Sequence, residues 1–304
     1  MPGIFYQPLN RRKFFDHSAK ALAAVALASR TRLLSGAEAP GAKSKELHLA
    51  LLSDTHIPAD PKGGISRNFL PWDNLKATVP QVKESHPEAV VINGDAARLT
   101  GELGDYEGLK SLLAPLAEDA PIYIGLGNHD NRANFFKVFP QAPTDPPTVK
   151  DKHVLVIERP AIRFLILDSL LYVNQVAGLL GKTQREWLGR YLVQCDGRAT
   201  VLFVHHTLDD GDGSLLDVEY LFQLLRPHRK VKAIFYGHSH KYAYTENQGV
   251  HLVNLPAVGY NFADIEPVGW VDARFTAEGS NLTLKAFAGN RDNDGKTTSL
   301  AWKI

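Results

Sequence analysis

The stretch "IYIGLGNHDN" at residues 122–131 begins as an apolar strand and ends in a cluster of polar side chains. Residues 122–124 favour a buried strand, whereas Asn128, His129 and Asp130 place an amide, an imidazole and a carboxylate side by side. Asn and Asp are common in surface turns, so the stretch alone is also compatible with an ordinary turn. The other apolar runs of the chain decide between these interpretations.

Four further apolar runs end in side chains of the same kinds. These side chains are Asp54 with His56, Asp95, His205 with His206, and His238 with His240. Helical patterns alternate with the runs, and shorter strand-like runs follow the last cluster. This order predicts an α/β protein with mixed sheets. Since ligands of such sheets bind beyond the carboxyl ends of the strands, all five clusters can converge on one site.

The residue types in these clusters favour a metal centre. Carboxylates and imidazoles with an amide oxygen suit Mn, Fe or Zn, whereas sites made only of oxygen would suit Mg or Ca. Two of the clusters contain a pair of side chains two positions apart, namely Asp54 with His56 and His238 with His240. In extended backbone, side chains at this spacing point to the same side. Seven ligand groups are too many for one tetrahedral ion. We therefore expect two ions, with the isolated Asp95 bridging them.

The first residues of the chain resemble a twin-arginine export signal. Arg11 and Arg12 precede two aromatic residues and an Ala-rich run at 21–28, and residues 37–39 form an A-x-A cleavage candidate. The alternative is a basic, amphipathic or disordered tail. The apolar run is too short to span a bilayer, so we expect no stable membrane anchor. The resemblance implies export of the folded protein by the twin-arginine translocase, to the periplasm or the medium.

The amino-acid composition limits which partners and which covalent or metal cross-links the chain can have. Residues 1–39 hold six Lys/Arg and two Asp/Glu, while the rest of the chain holds 28 Lys/Arg and 31 Asp/Glu and is therefore slightly negative. Because nucleic acid attracts positively charged surfaces, no nucleic-acid polymer is expected as a partner. The single Cys195 excludes an intramolecular disulfide and any site built on several Cys ligands. We expect a signal at 1–39, a linker at 40–46 and a single domain at 47–304. The oligomeric state is left open.

The motifs "SDTH", "NGDAAR", "GNHD", "FVHHT" and "YGHSH" resemble the five blocks of the calcineurin-like metallophosphoesterases. The resemblance covers roughly residues 47–260 and implies a four-layer αββα sandwich of two mixed β-sheets flanked by helices. The metal ligands that it implies are Asp54, His56 and His240 for one ion, Asn128, His205 and His238 for the other, and Asp95 as the bridge. Thr207 replaces the Pro that usually follows in the fourth block, which leaves open whether His206 replaces His205.

The resemblance also implies a mechanism, in which a metal-bridging hydroxide attacks phosphorus in line. His129 would protonate the leaving group as a general acid, with Asp130 orienting its ring. The alternative role for His129 is hydrogen bonding beside a ligand. Arg98 stands where purple acid phosphatases have Tyr, and the following "GELGDY" looks more like the cyclic-nucleotide and glycerophosphodiester branch. We expect a phosphodiesterase with a small-molecule substrate; the alternatives are a phosphomonoesterase or protein phosphatase, or a catalytically silent metal-binding relative.

Overall fold

Two mixed sheets form the centre of the molecule. Within residues 46–140 and 149–303, which a computed structural model describes, there are two sheets of six strands each. The strands are β1 (Leu47–Leu52), β2 (Ala89–Asn93), β3 (Ile122–Gly125), β4 (Leu155–Glu158), β5 (Ile162–Ile166), β6 (Ala199–Phe203), β7 (Val231–Tyr236), β8 (Ala243–Asn247), β9 (Val250–Asn254), β10 (Pro267–Phe275), β11 (Gly279–Gly289) and β12 (Thr297–Ala301). The predicted export signal at 1–39 lies outside the described residues.

Strand direction makes both sheets mixed, as the sequence predicted. The first sheet has the order β12-β11-β10-β1-β2-β3, in which β1, β2 and β3 are parallel and the other pairs antiparallel. The second sheet has the order β4-β5-β6-β7-β9-β8, with β5, β6, β7 and β9 parallel and the two edge strands antiparallel. The carboxyl ends of β1, β2 and β3 therefore share one edge, as do those of β6 and β7.

Helices cover the outer face of each sheet. They are α1 (Pro71–Ser85), α2 (Leu103–Ala117), α3 (Arg132–Val138), α4 (Lys182–Gln194) and α5 (Val218–Leu225). In β1, Leu49 and Leu51 face the core between the sheets, while Ala50 and Leu52 face the core beneath α1 and α2. A strand buried on both faces needs a continuous apolar run. A third core lies between the second sheet and α4 and α5, which confirms the four-layer sandwich.

Strand ends differ from the sequence prediction in a way that matters for the site. The runs "ATVLFVHH" (199–206) and "VKAIFYGHSH" (231–240) predict strands that include their histidines, but β6 ends at Phe203 and β7 at Tyr236. The polar clusters consequently lie in loops beyond the strands. The last strand, Thr297–Ala301, was not predicted; it is an edge strand whose residues are all at least partly exposed. Among the described residues, no helix is both long and apolar enough to cross a membrane.

Candidate metal centre

Five loops bring the predicted residues together through unusual backbone. The loops after β1 and β2 remain paired, since Asp54 N donates to Gly94 O at 3.1 Å and His56 N donates to Asp95 O at 2.9 Å. Left-handed φ angles between 47° and 69° occur at Asp54, His56, Asp95, His238 and His240. Such angles are uncommon outside glycine and cluster at functional sites. The expectation that the D-x-H and H-x-H pairs project from extended backbone is therefore wrong; left-handed turns direct them inward.

The first ligand group consists of Asp54, His56 and His240. His240 Nε2 lies 3.4 Å from Asp54 Oδ1 and 3.0 Å from His56 Nε2. All three residues are buried, and each offers one ligand atom within 4.8 Å of the others. This is the set that the sequence predicted for one ion.

The second group contains Asp95, His205 and His238, whose ligand atoms also lie within 4.8 Å of one another. His205 Nε2 is 3.3 Å from Asp95 Oδ2. Both this nitrogen and Asn128 Oδ1 are buried without a hydrogen-bond partner in the described part of the chain. A buried polar atom without a partner is costly. A bound cation would satisfy such an atom.

Asp95 belongs to two of the three ligand groups found in the described residues. Besides the second group, it forms a third with His56 and His129. Its Oδ2 lies 3.8 Å from His56 Nε2, 3.3 Å from His205 Nε2 and 4.0 Å from His129 Nε2. A carboxylate in this central position is suited to bridging two cations.

Backbone carbonyls determine which nitrogen faces the centre in four of the imidazoles. The Nδ1 atoms lie 3.4 Å from Arg98 O for His56, 3.0 Å from Leu99 O for His129, 2.9 Å from Asn93 O for His205 and 2.6 Å from Tyr260 O for His240. Because a carbonyl only accepts, Nδ1 carries the proton and the Nε2 lone pair is available to a metal.

The electrostatics of the cluster favour a cation. Burial lowers the pKa of His56 to about 3 and that of His238 to about 4, so both imidazoles are neutral near pH 7. Burial also lowers the pKa of His205, but the carboxylates of Asp95 and Asp54 outweigh it and raise this pKa to about 10. The metal-free centre therefore holds a proton, which a metal would displace on binding.

Comparison with known proteins identifies the family. The model for calcineurin-like phosphoesterases matches residues 47–242. This protein belongs to the calcineurin-like phosphoesterase family. It is accordingly a metal-dependent phosphoesterase hydrolase, and its clustered His and Asp side chains indicate divalent metal ions.

Individual relatives agree with this family assignment. A probable cyclic nucleotide phosphodiesterase of Rhodopseudomonas palustris is 31% identical over 208 residues, covering 64% of this chain and 72% of that protein. A probable glycerophosphodiester phosphodiesterase of Arcobacter nitrofigilis is 29% identical over 213 residues, with coverage of 64% and 72%. The crystal structure of a dimetal phosphatase from Danio rerio shares the fold, with a TM-score of 0.64 at 15% identity over 84% of this chain and 99% of that chain.

The structure distinguishes between the two adjacent histidines of this phosphoesterase. His205 Nε2 faces the carboxylate of Asp95, whereas His206 is in none of the ligand groups found in the described residues. His206 Nδ1 instead lies 2.7 Å from Ser169 Oγ. Of the two candidates that the sequence left open, His205 is the one that belongs to a ligand group in the described residues.

The prediction that Asp130 orients the ring of His129 is wrong. The Asp130 carboxylate accepts hydrogen bonds from Ala96 N, Ala97 N, Gly127 N and Tyr106 Oη at 2.9–3.2 Å. The His129 ring is held by the Leu99 carbonyl instead. Burial, aided by the charge of Asp95, raises the pKa of Asp130 to about 6. Asp130 thus fixes the loop that carries Asp95, because its carboxylate oxygens accept hydrogen bonds from two consecutive backbone amides of that loop.

Gly127 approaches the centre too closely to tolerate a side chain. A Cβ atom there would lie 2.2 Å from Asp95 Oδ1 and 2.6 Å from His205 Cδ2. We expect Gly127→Ala to displace both side chains and weaken metal affinity about ten- to hundredfold, measured by competition with a chromogenic chelator. Gly197→Ala is the control, since its Cβ would have nothing within 4 Å. Unchanged affinity in Gly127→Ala would contradict this packing.

Proposed function

We propose that this phosphoesterase is a phosphodiesterase for small-molecule substrates that works with two bound divalent metal ions. The observation that carries the proposal is the position of Asp95 between the two ligand groups, since its Oδ2 lies 3.8 Å from His56 Nε2 of the first group and 3.3 Å from His205 Nε2 of the second. The unpaired Asn128 Oδ1 and His205 Nε2 support it further. The names of the two relatives, which refer to cyclic nucleotides and glycerophosphodiesters, support a diester rather than a monoester.

The donor set fits the ions that the sequence predicted. Carboxylates, imidazoles and one amide oxygen suit Mn, Fe or Zn. We assign Asp54, His56 and His240 to one ion, Asn128, His205 and His238 to the other, and Asp95 to both. When bound, such ions supply an activated water and neutralise charge on the phosphoryl oxygens.

His129 is placed to move a proton at the edge of the centre. Its backbone N–H donates to Asp95 Oδ1 at 2.9 Å, and the Leu99 carbonyl fixes the proton on Nδ1, so Nε2 faces the centre. The His129 side chain is 20% exposed, compared with 1% for that of His56. A leaving group could therefore reach His129 Nε2. In the imidazolium form, which carries a proton on each ring nitrogen, Nε2 would donate its proton to the departing oxygen and the ring would keep the proton on Nδ1.

An acidic loop adds a reason to expect diesters. Asp209, Asp210 and Asp212 are exposed in the loop after β6. A Cβ on Gly213, in the same loop, would lie 3.9 Å from His238 Nε2, so the loop borders the centre. A monoester dianion carries one more negative charge than a diester. Exposed like charges therefore repel the monoester more than the diester, by at most a few tenths of a kcal/mol for each charge, and salt weakens this effect.

A substrate panel tests the proposal. The metal-reconstituted protein is assayed on bis(p-nitrophenyl) phosphate, p-nitrophenyl phosphate, a cyclic nucleotide and a glycerophosphodiester. We expect kcat/KM for bis(p-nitrophenyl) phosphate to exceed that for p-nitrophenyl phosphate, and the difference to shrink as salt is added. Preference for the monoester would indicate a phosphomonoesterase. No turnover with Mn, Fe, Zn or Co would instead indicate a catalytically silent metal-binding relative.

A further inference from the structure

We infer that Phe262 is a stacking surface beside the metal centre that binds a planar aromatic group of the substrate, such as a nucleobase. The inference rests on the proposed phosphodiesterase function, because it assigns one ester group of the diester to this surface. It concerns a residue outside the five motifs, in the segment between β9 and β10.

Phe262 lies against an imidazole of the centre. Its ring centroid is 4.1 Å from that of His240, and the two rings are inclined by only 16°. Phe262 is nevertheless 55% exposed. One face of its ring therefore covers a proposed metal ligand while the remaining surface faces solvent. A group stacked on that surface would lie about one ring thickness further from His240 than Phe262 does. At that distance it could belong to a substrate whose phosphorus lies at the metal centre.

The Phe262 segment is held in position before any ligand binds. Arg67 Nη1 donates to Phe262 O at 2.5 Å, and the same guanidinium pairs with Asp264. The ring of Tyr260 packs edge-on against Phe262 at 5.7 Å and lies 4.9 Å from the ring of His56. A surface that is already ordered loses little conformational entropy when it binds a ligand.

The chemistry of this surface favours an aromatic group over a charged one. The guanidinium of Arg67 contacts the carboxylate of Asp264 and the carbonyl of Phe262, so its charge is partly offset by these two partners. The flat hydrocarbon face of Phe262 offers stacking, which tolerates any base because every base has a π-face. Single exposed apolar side chains are common on proteins. What separates Phe262 from the nearby Ile265, which is 74% exposed, is its parallel contact with His240.

Equilibrium binding and turnover together test the inference. Adenosine 5′-monophosphate and glycerol 3-phosphate are titrated into metal-loaded wild type, Phe262→Leu and Ile265→Ala, and KM is measured for a cyclic nucleotide and a glycerophosphodiester. We expect Phe262→Leu to weaken the adenine ligand and raise KM for the cyclic nucleotide about tenfold or more. The two ligands without a base should change less than about twofold, kcat should be retained, and Ile265→Ala should behave as wild type.

Several results would overturn the inference. Equal losses for ligands with and without a base would show that Phe262 does not recognise the base. Loss of bound metal in Phe262→Leu would show that Phe262 acts as packing for His240 rather than as a surface for the base. Wild type that binds the adenine ligand no better than glycerol phosphate would also contradict it. If wild type hydrolyses neither diester, the proposed function fails, while the binding measurements still decide the role of Phe262.

Discussion

Replacing Asp95 with Ala is expected to remove bound metal and to lower kcat/KM by about three orders of magnitude or more. The Asp95 carboxylate lies 3.8 Å from His56 Nε2, a proposed ligand of one ion, and 3.3 Å from His205 Nε2, a proposed ligand of the other, so its loss affects both proposed ions. Metal ions contribute several kcal/mol of transition-state stabilisation, and each 1.36 kcal/mol corresponds to tenfold in rate. Metal content is measured by elemental analysis and activity with bis(p-nitrophenyl) phosphate.

A matched control separates this effect from the loss of any buried carboxylate. Asp272 on β10 is also buried, and its Oδ1 lies 3.0 Å from His48 Nε2. Asp272→Ala removes a carboxylate–imidazole contact at the opposite end of β1 and should keep metal content and activity. Full activity of Asp95→Ala at normal metal content would refute the bridging assignment.

The sequence predicted the strands and the convergence of their ends because both depend on simple patterns. A strand buried on both faces must be apolar throughout, as β1 is, so the change to Asp54 and His56 marks its end clearly. Parallel strands then place such ends on one edge of the sheet. These two rules were enough to bring Asp95, Asn128 and His205 into one predicted centre.

The supporting contacts could not be predicted because they involve backbone groups or distant side chains. The carbonyls of Leu99 and Tyr260, which fix the tautomers of His129 and His240, leave no signal in residue type. Asp130 is adjacent to His129 in sequence, yet its carboxylate turns toward the backbone amides of another loop. The position of Phe262 depends on how the segment after β9 folds over His240.

The surroundings of His129 allow three roles that experiment can separate. Its Nε2 faces the centre 4.0 Å from Asp95 Oδ2, as a general acid requires. The same atom completes a ligand group with His56 and Asp95, so it could also bind metal. As a positioning residue, His129 would instead act through the hydrogen bond from its backbone N–H to Asp95, which a side-chain substitution leaves in place.

We expect His129→Ala to slow hydrolysis of an alkyl diester about 10²- to 10⁴-fold, the usual contribution of a general acid. Esters of p-nitrophenol should slow much less, because p-nitrophenolate departs without a proton, and metal content should remain normal. His251→Ala is the control, since that imidazole also contacts a backbone carbonyl, Ala301 O at 2.8 Å, but lies on β9 away from the centre. Unchanged rates on both esters would indicate positioning through the backbone alone, and loss of metal would make His129 a ligand. Equal losses on both esters at normal metal content would argue against an acid role, because only an acid acts in proportion to the basicity of the leaving group.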